Sequence, residues 1–253
     1  MNALILAAGY ATRLYPLTVT HPQPLLPIGD RPLVDWILER VWEVTDEIHL
    51  VTNHKFAGKF REWGETRGVA VHDDGTTSED DRLGAIADIR FVTQAAGLEG
   101  DDLLVIAGDN LFDFSLADFA EFTKSKGDAS AVALYDVGDR ELARRYGIAE
   151  IDDEDRIVSF VEKPDEPRST LAATATYLYH HNHLPLVERY LDEGNSPDQP
   201  GRFIAWVHSR APVYGYRFEG EWRDIGDPEQ LLEADNRMRE RNGLPQRENY
   251  SLD

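Results

Sequence analysis

A chain of 253 residues, 42% of them hydrophobic, is long enough to bury the core of an α/β domain. It contains no cysteine, which excludes disulfides, thiolate metal sites and cysteine nucleophiles. The net charge of −21, from 47 acidic against 26 basic residues, argues against nucleic acid or an anionic membrane as partner, because either needs a basic face.

Leu4, Ile5 and Leu6 make an apolar run too short for a helix and suited to an interior parallel strand. Ala7, Ala8 and Gly9 then strip away side chains, so that backbone N–H groups can approach an anion, and Arg13 adds a positive fork suited to phosphate oxygens. An ordinary strand–loop connection remains equally open on this local chemistry. After Pro32, LVDWILERVWEV has helical periodicity, and Glu47 to Thr52 reads as the second strand. A helix is expected over Phe56 to Thr66, a strand over Val69 to His72, a polar loop over Asp73 to Arg82 and a helix over Leu83 to Ala95.

Asp102 to Ala107 predicts a third interior strand, ending in Gly108-Asp109-Asn110. A helix at Leu116 to Lys126 leads to a strand at Ala129 to Asp136. Tyr146 to Ile151 and Ile157 to Glu162 flank the acidic turn Asp152 to Asp155 as a hairpin. Ala172 to Tyr179 reads as a strand, Leu184 to Leu191 and Phe203 to Ser209 as helices, Val213 to Phe218 as extended, and Pro228 to Arg241 as the final helix. The last ten residues carry no pattern and read as mobile. This order predicts an α/β fold: a doubly wound, Rossmann-like mixed sheet, mostly parallel, with antiparallel additions in the C-terminal half. Residues 1–253 read as a single unit, with Gly194 to Gly201 a loop inside it. No basic-flanked leader and no bilayer-length apolar segment is seen, so a cytoplasmic protein without membrane partners is expected. Acidic residues spread along the whole chain, with few lysines, suggest a host with a salty cytoplasm.

Open α/β sheets bind ligands at the carboxyl ends of their strands. Asp109 falls at such an end, although a capping or turn role fits it as well. In Trp222-Arg223-Asp224-Ile225-Gly226-Asp227, the natural helix N-cap is Asp227 before Pro228, which leaves Asp224 without a capping task. Two convergent carboxylates are the minimum protein contribution to a Mg²⁺ site that also uses substrate phosphates. Glu162-Lys163 at a strand end is ordinarily a solvated pair. His180, His181 and His183 cluster without metal-ligand spacing and read as a polar loop. The dinucleotide G-x-G-x-x-G, the P-loop and the G-x-S-x-G elbow are all absent.

The stretch LAAGYATRLYPLT followed by HPQPLLP resembles the signature of the sugar-1-phosphate nucleotidyltransferases, roughly L-A-A-G-x-G-T-R-L-x-P-L-T and T-P-K-P-L-L-P. The resemblance extends to the last helix. It implies a nucleotide-binding half over about 1–110, a sugar-phosphate half over about 111–227 and a C-terminal helix at 228–242. Leu6, Ala8, Gly9, Arg13, Gln23 and Gly84 would then face the nucleoside triphosphate, with Thr76, Thr77 and Ser78 adding hydrogen bonds to the base. Tyr146, Gly147, Glu162, Lys163 and Tyr177 would face the sugar 1-phosphate, and Asp109 and Asp224 would hold Mg²⁺, with Arg13 and Lys163 the catalytic cations. Three residues depart from the pattern: Ala11 and Ala175 replace glycines, and Gln23 replaces a lysine that contacts phosphate. Losing that ammonium should cost on the order of 2–4 kcal/mol of transition-state stabilisation, unless Lys55 or Arg82 substitutes. A cytidylyltransferase acting on phosphocholine or inositol phosphate, and a catalytically weak nucleotide-sugar binder, stay open beside the sugar reading. The last helix fits packing within one subunit or against a second copy in a homo-oligomer.

Overall fold

The first strand, β1 (Asn2–Ala7), divides its side chains between two cores: Ala3, Ile5 and Ala7 enter one, and Leu4 enters the other. This alternation is what a strand with helices on both faces requires. The computed structural model describes residues 1–252. In it β2 (Pro27–Ile28), β3 (Arg31–Pro32), β4 (Ile48–Thr52), β5 (Ala70–Asp73), β6 (Leu103–Ala107), β7 (Asn110–Phe112) and β8 (Ser130–Asp136) follow. The later strands are β9 (Gly147–Ile151), β10 (Ile157–Glu162), β11 (Leu171–Tyr179), β12 (Val213–Arg217) and β13 (Trp222–Asp224). The helices are α1 (Leu17–Thr20), α2 (Leu33–Val41), α3 (Ala57–Glu65), α4 (Ala85–Ala96), α5 (Leu116–Ser125), α6 (Arg140–Ala143), α7 (Pro185–Asp192), α8 (Pro200–Val207) and α9 (Pro228–Arg241).

Nine strands form the mixed central sheet, and its parallel part runs β5-β4-β1-β6. The long strand β11 joins this part to the antiparallel additions: its end pairs with β6, its start with β9, and β8 also runs antiparallel to it. The β9–β10 pair is the expected hairpin, with Ile151 opposite Ile157. One face of the sheet packs α2, α3 and α5 through residues such as Ile37, Phe60 and Phe119. The other face packs α4, α7 and α8 through Ile89, Tyr190 and Phe203. Among the described residues no helix is long and apolar enough to cross a membrane.

The C-terminal helix packs within its own chain. Leu231, Ala234 and Met238 of α9 bury against Leu14, Leu26, Ile28 and Leu33 of the opening loop, and buried Asp235 accepts the Gly29 N–H at 2.7 Å. The last ten residues, read as mobile, are instead tied down as far as they are described: Asn236 accepts the Arg247 N–H at 2.7 Å, and the Tyr250 hydroxyl donates to the Pro27 carbonyl at 2.8 Å. Their anchors are single polar contacts, one to a side chain of α9 and one to distant backbone, which leave no periodicity in sequence. The histidine cluster is a turn, with His181 Nδ1 2.9 Å from Asp102 and His183 Nδ1 2.8 Å from Ser130 Oγ. Against the expectation of no metal-ligand grouping, Asp102, His180 and His181 bring potential ligand atoms within 4.8 Å of one another, because Asp102 joins them from a distant part of the chain.

Ala11 and Ala175, the two alanines in place of family glycines, both have left-handed backbone, with φ of 47° and 52°. Ala175 sits inside a register shift of β11, between Ala173 and Tyr177. A β-carbon in this region costs about 1–2 kcal/mol, partly offset by the lower chain entropy of unfolded alanine. Ala11→Gly and Ala175→Gly are each expected to raise the thermal midpoint by roughly 2–4 °C, measured by calorimetry; a lowered midpoint at both positions would contradict the strain argument.

Candidate active site

A cleft of about 520 Å³ opens at the carboxyl ends of β1 and β6. Backbone shapes its floor. The Ala8 carbonyl accepts the side-chain amide of fully buried Asn53 at 2.9 Å, and Asn53 Oδ1 accepts the Phe56 N–H at 3.2 Å, so the turn after β1 is clamped from behind. On its open side no atom lies within 4 Å of where a β-carbon of Gly9 would stand, and this space is part of the cleft. Arg13 leaves the next turn and lays its guanidinium against Gly226, where a β-carbon would meet it at 3.4 Å.

Gly108 brings the end of β6 close to β1, donating its N–H to the Leu6 carbonyl at 2.8 Å, and Asp109 follows into the cleft. Asp224 arrives on β13, which pairs antiparallel with β7 so that Asp224 stands opposite Asn110. This short ladder brings the two aspartates together. Asn110, 2% exposed, secures it from both sides: its Oδ1 accepts the Trp222 indole N–H at 3.1 Å, and its amide donates to the Thr174 carbonyl at 2.9 Å. Burial pushes the Asp109 carboxyl well above the ordinary range, and the Asp224 charge pushes it further. Burial also raises Asp224, opposed by the nearby positive charges of Arg13, Arg145 and Lys163. Paired carboxylates whose proton affinity burial raises, and which face an open cleft, suit a hard divalent cation.

Opposite this pair, the Lys163 N–H donates to the Tyr146 carbonyl at 3.0 Å, and Lys163 itself holds a φ of 47°. The Glu162 carboxyl fits between two glycines: β-carbons at Gly147 and Gly201 would lie 2.9 and 2.0 Å from its Oε2. Burial raises its pKa, opposed by Lys163 and Arg202. Tyr177, 3% exposed, stacks on Tyr179 with ring centroids 5.8 Å apart and presents one edge to the cleft.

Leu6, Gly9, Arg13, Gln23, Asp109, Tyr146, Gly147, Glu162, Lys163, Tyr177 and Asp224 therefore line one cleft, whereas Ala8 and Gly84 do not. Ala8 is turned away by the Asn53 clamp. Gly84 has φ 93°, and a β-carbon there would stand 2.7 Å from the Pro197 carbonyl oxygen, so this glycine answers the close crossing of the 194–201 loop. That loop also takes the Ala85 and Ile86 N–H groups at 3.2 and 2.8 Å, which removes the start of α4 as an anion site. Thr76, Thr77 and Ser78, expected at the base, are spent locally: Asp74 accepts from Thr76, and Asp81 accepts from Thr77 and Ser78. Lys55 packs over the Phe56 ring at 4.8 Å and is not among the cleft-lining residues. The cations that line the cleft are Arg13, Arg82, Arg145 and Lys163. Sequence reading passed over Arg145, although it directly precedes the Tyr146-Gly147 motif, and over the cleft-lining Asp198 to Gly201 segment.

The chain is 29% identical over 245 residues to a protein of Methanocaldococcus jannaschii named bifunctional protein GlmU, covering 92% of this chain and 53% of that one. It is 31% identical to a UTP–glucose-1-phosphate uridylyltransferase of Synechocystis, covering 89% of this chain and 60% of that one. It thus spans only about half to three-fifths of these curated relatives. A solved structure assigned as a glucose-1-phosphate thymidylyltransferase of Bacillus anthracis, in complex with a sucrose, superposes with a TM-score of 0.80 at 26% identity, covering 94% of this chain and 95% of that one. The nucleotidyl transferase family profile matches residues 2–241, and the chain belongs to that family.

Proposed function

We propose that this protein joins a sugar 1-phosphate to a nucleoside triphosphate with release of pyrophosphate. The observation that carries the reading is that Asp109 and Asp224 line one cleft together with Arg13, Lys163 and Glu162. A phosphate oxygen of the sugar phosphate attacks the α-phosphorus in line; the bond from that phosphorus to the β-phosphate bridging oxygen breaks, and pyrophosphate leaves with the electron pair. Such a transfer needs no covalent protein intermediate, only positioning and neutralised charge. Mg²⁺ held by Asp109 and Asp224 would supply charge neutralisation at the α-phosphate. Arg13 and the amides around Gly9 hold the triphosphate. Lys163 orients the attacking phosphate and Glu162 accepts a hydrogen bond from a sugar hydroxyl. Arg145, which lines the same cleft and is close enough to lower the pKa of Asp224, supplies positive charge that a lysine at position 23 would otherwise bring.

The test is pyrophosphate release across a matrix of nucleoside triphosphates and phosphorylated sugars or alcohols, with Mg²⁺ and high salt. Turnover with a sugar 1-phosphate establishes the activity and its substrates together. Turnover with phosphocholine or inositol phosphate alone moves the substrate class, and silence with nucleotide binding retained makes the protein a binder. The net charge of −21 adds an expectation about conditions. Screening of self-repulsion in molar potassium chloride should raise the thermal midpoint by about 5 °C or more, and a midpoint that falls with added salt would remove the salty-cytoplasm reading.

A further inference from the structure

Gln23 is 7% exposed, and its side-chain amide donates to the backbone carbonyl of Ile225. The N–H of the same residue, Ile225, donates to the backbone carbonyl of Asp109 at 3.2 Å. One peptide segment next to Asp224 is therefore held at both polar groups, by Gln23 on one side and by Asp109 on the other. The Ile225 side chain is fully buried among Leu14, Leu26, Leu111 and Leu231, which anchors the segment on its apolar side and leaves its polar side to these two hydrogen bonds. Gln23 is itself pinned: it opens the short turn Gln23–Leu25 between two extended residues, and its carbonyl accepts the Leu26 N–H at 3.0 Å.

We propose that Gln23 is a positioning residue whose amide, acting through Ile225, sets the separation of the Asp109 and Asp224 carboxylates and so tunes their grip on a divalent cation. The inference rests on the reading of Asp109 and Asp224 as a metal pair. It gives the residue that replaces a phosphate-binding lysine a bracing task, and it assigns the positive charge of the cleft to other side chains. A side chain of similar length without an N–H leaves the Ile225 carbonyl unpaired in the interior, and the segment relaxes toward another donor. A side chain with an N–H restores the brace whatever its charge. That distinction separates bracing from charge.

The experiment measures Mn²⁺ binding, by paramagnetic resonance of free Mn²⁺, in the wild type, Gln23→Met and Gln23→Lys, together with the Mg²⁺ concentration that half-saturates turnover. Gln23→Met is expected to weaken Mn²⁺ binding about tenfold, in line with other residues that orient metal ligands, and to raise the Mg²⁺ requirement by a similar factor. The KM for the sugar phosphate should stay unchanged. Gln23→Lys is expected to hold Mn²⁺ within about twofold of wild type, because its ammonium can donate to the same carbonyl. Wild-type Mn²⁺ affinity in Gln23→Met, or equal weakening in both variants, overturns the proposal. If the methionine variant does not fold, Gln23→Thr, too short to reach Ile225, provides the same comparison. The Mn²⁺ measurement does not depend on turnover, so a shift seen in a protein that releases no pyrophosphate keeps the brace and rejects nucleotidyl transfer.

Discussion

Asp109→Asn is expected to lower turnover about a thousandfold while making the metal-free protein more stable. The loss follows from removing one of two carboxylates that would hold the cation at the α-phosphate; single preorganised electrostatic contributors of this kind are worth about 10²–10³ in rate. The gain in stability has a separate cause. The Asp109 carboxyl is buried against Asp224, and both burial and that charge raise its pKa. In the folded metal-free protein Asp109 therefore holds its proton to higher pH than in the unfolded chain. The stability it contributes is fully present below the unfolded pKa of about 3.9 and is lost as pH rises through the elevated folded pKa. Wild-type protein without metal should thus lose stability as pH climbs from the ordinary carboxylate range toward neutrality. Asp109→Asn should flatten that slope, and added divalent cation should flatten it in the wild type but not in the variant. Thermal denaturation at mildly acidic and mildly alkaline pH, with and without Mg²⁺, reads all three. An unchanged pH slope in Asp109→Asn would place the titrating group elsewhere, and Asp88, whose carboxyl burial pushes up to about 8, is the next buried carboxyl to examine.

Lys163→Ala is expected to lower kcat/KM for the phosphorylated sugar about a hundredfold, about 2.7 kcal/mol, with little change in folding stability. Lys163 holds a left-handed backbone at φ 47°, a conformation that costs a side-chain-bearing residue about 1–2 kcal/mol. Alanine in the same place carries the same cost, so the substitution removes the ammonium without altering the backbone strain. The N–H to Tyr146 carbonyl hydrogen bond at 3.0 Å is also retained. Steady-state kinetics with each substrate varied separately should show the loss mainly on the sugar-phosphate side, leaving nucleotide KM within a few-fold of wild type. An equal loss on both sides would mean that Lys163 serves the triphosphate. Lys163→Gly provides the matching control: it lacks the ammonium but relieves the strain, so its activity should fall like that of alanine while its thermal midpoint rises.

Much of the cleft was legible because several of its residues sit in contiguous motifs at strand ends. Asp109 ends the VIAGD run and Lys163 follows β10, while beside the cleft Asp227 holds the N-cap of α9, accepting the Gln230 N–H at 2.9 Å. Each is decided by neighbours within a few positions, where periodicity and capping chemistry operate. The role of Gln23 was not legible in this way. Its type shows only that a charge is missing, whereas its partner, the Ile225 carbonyl, lies almost at the other end of the chain.

By itself the sequence determined the interior character of β1, the order of strands and helices, the hairpin across the acidic turn, and the short motifs that carry the candidate chemistry. Those features depend on local backbone preference and on the burial of nearby apolar side chains. Only the tertiary structure decided that β7 and β13, three residues each, pair and so bring Asp224 to Asp109. Strands this short carry no periodic signal, and their ladder exists because the buried Asn110 amide and the Trp222 indole close it from the side. The same holds for Gly84, which the family resemblance places near a nucleotide and whose positive φ meets the crossing loop at Pro197. Contacts between distant backbones have no local sequence signature, and they are what set the shape of this cleft.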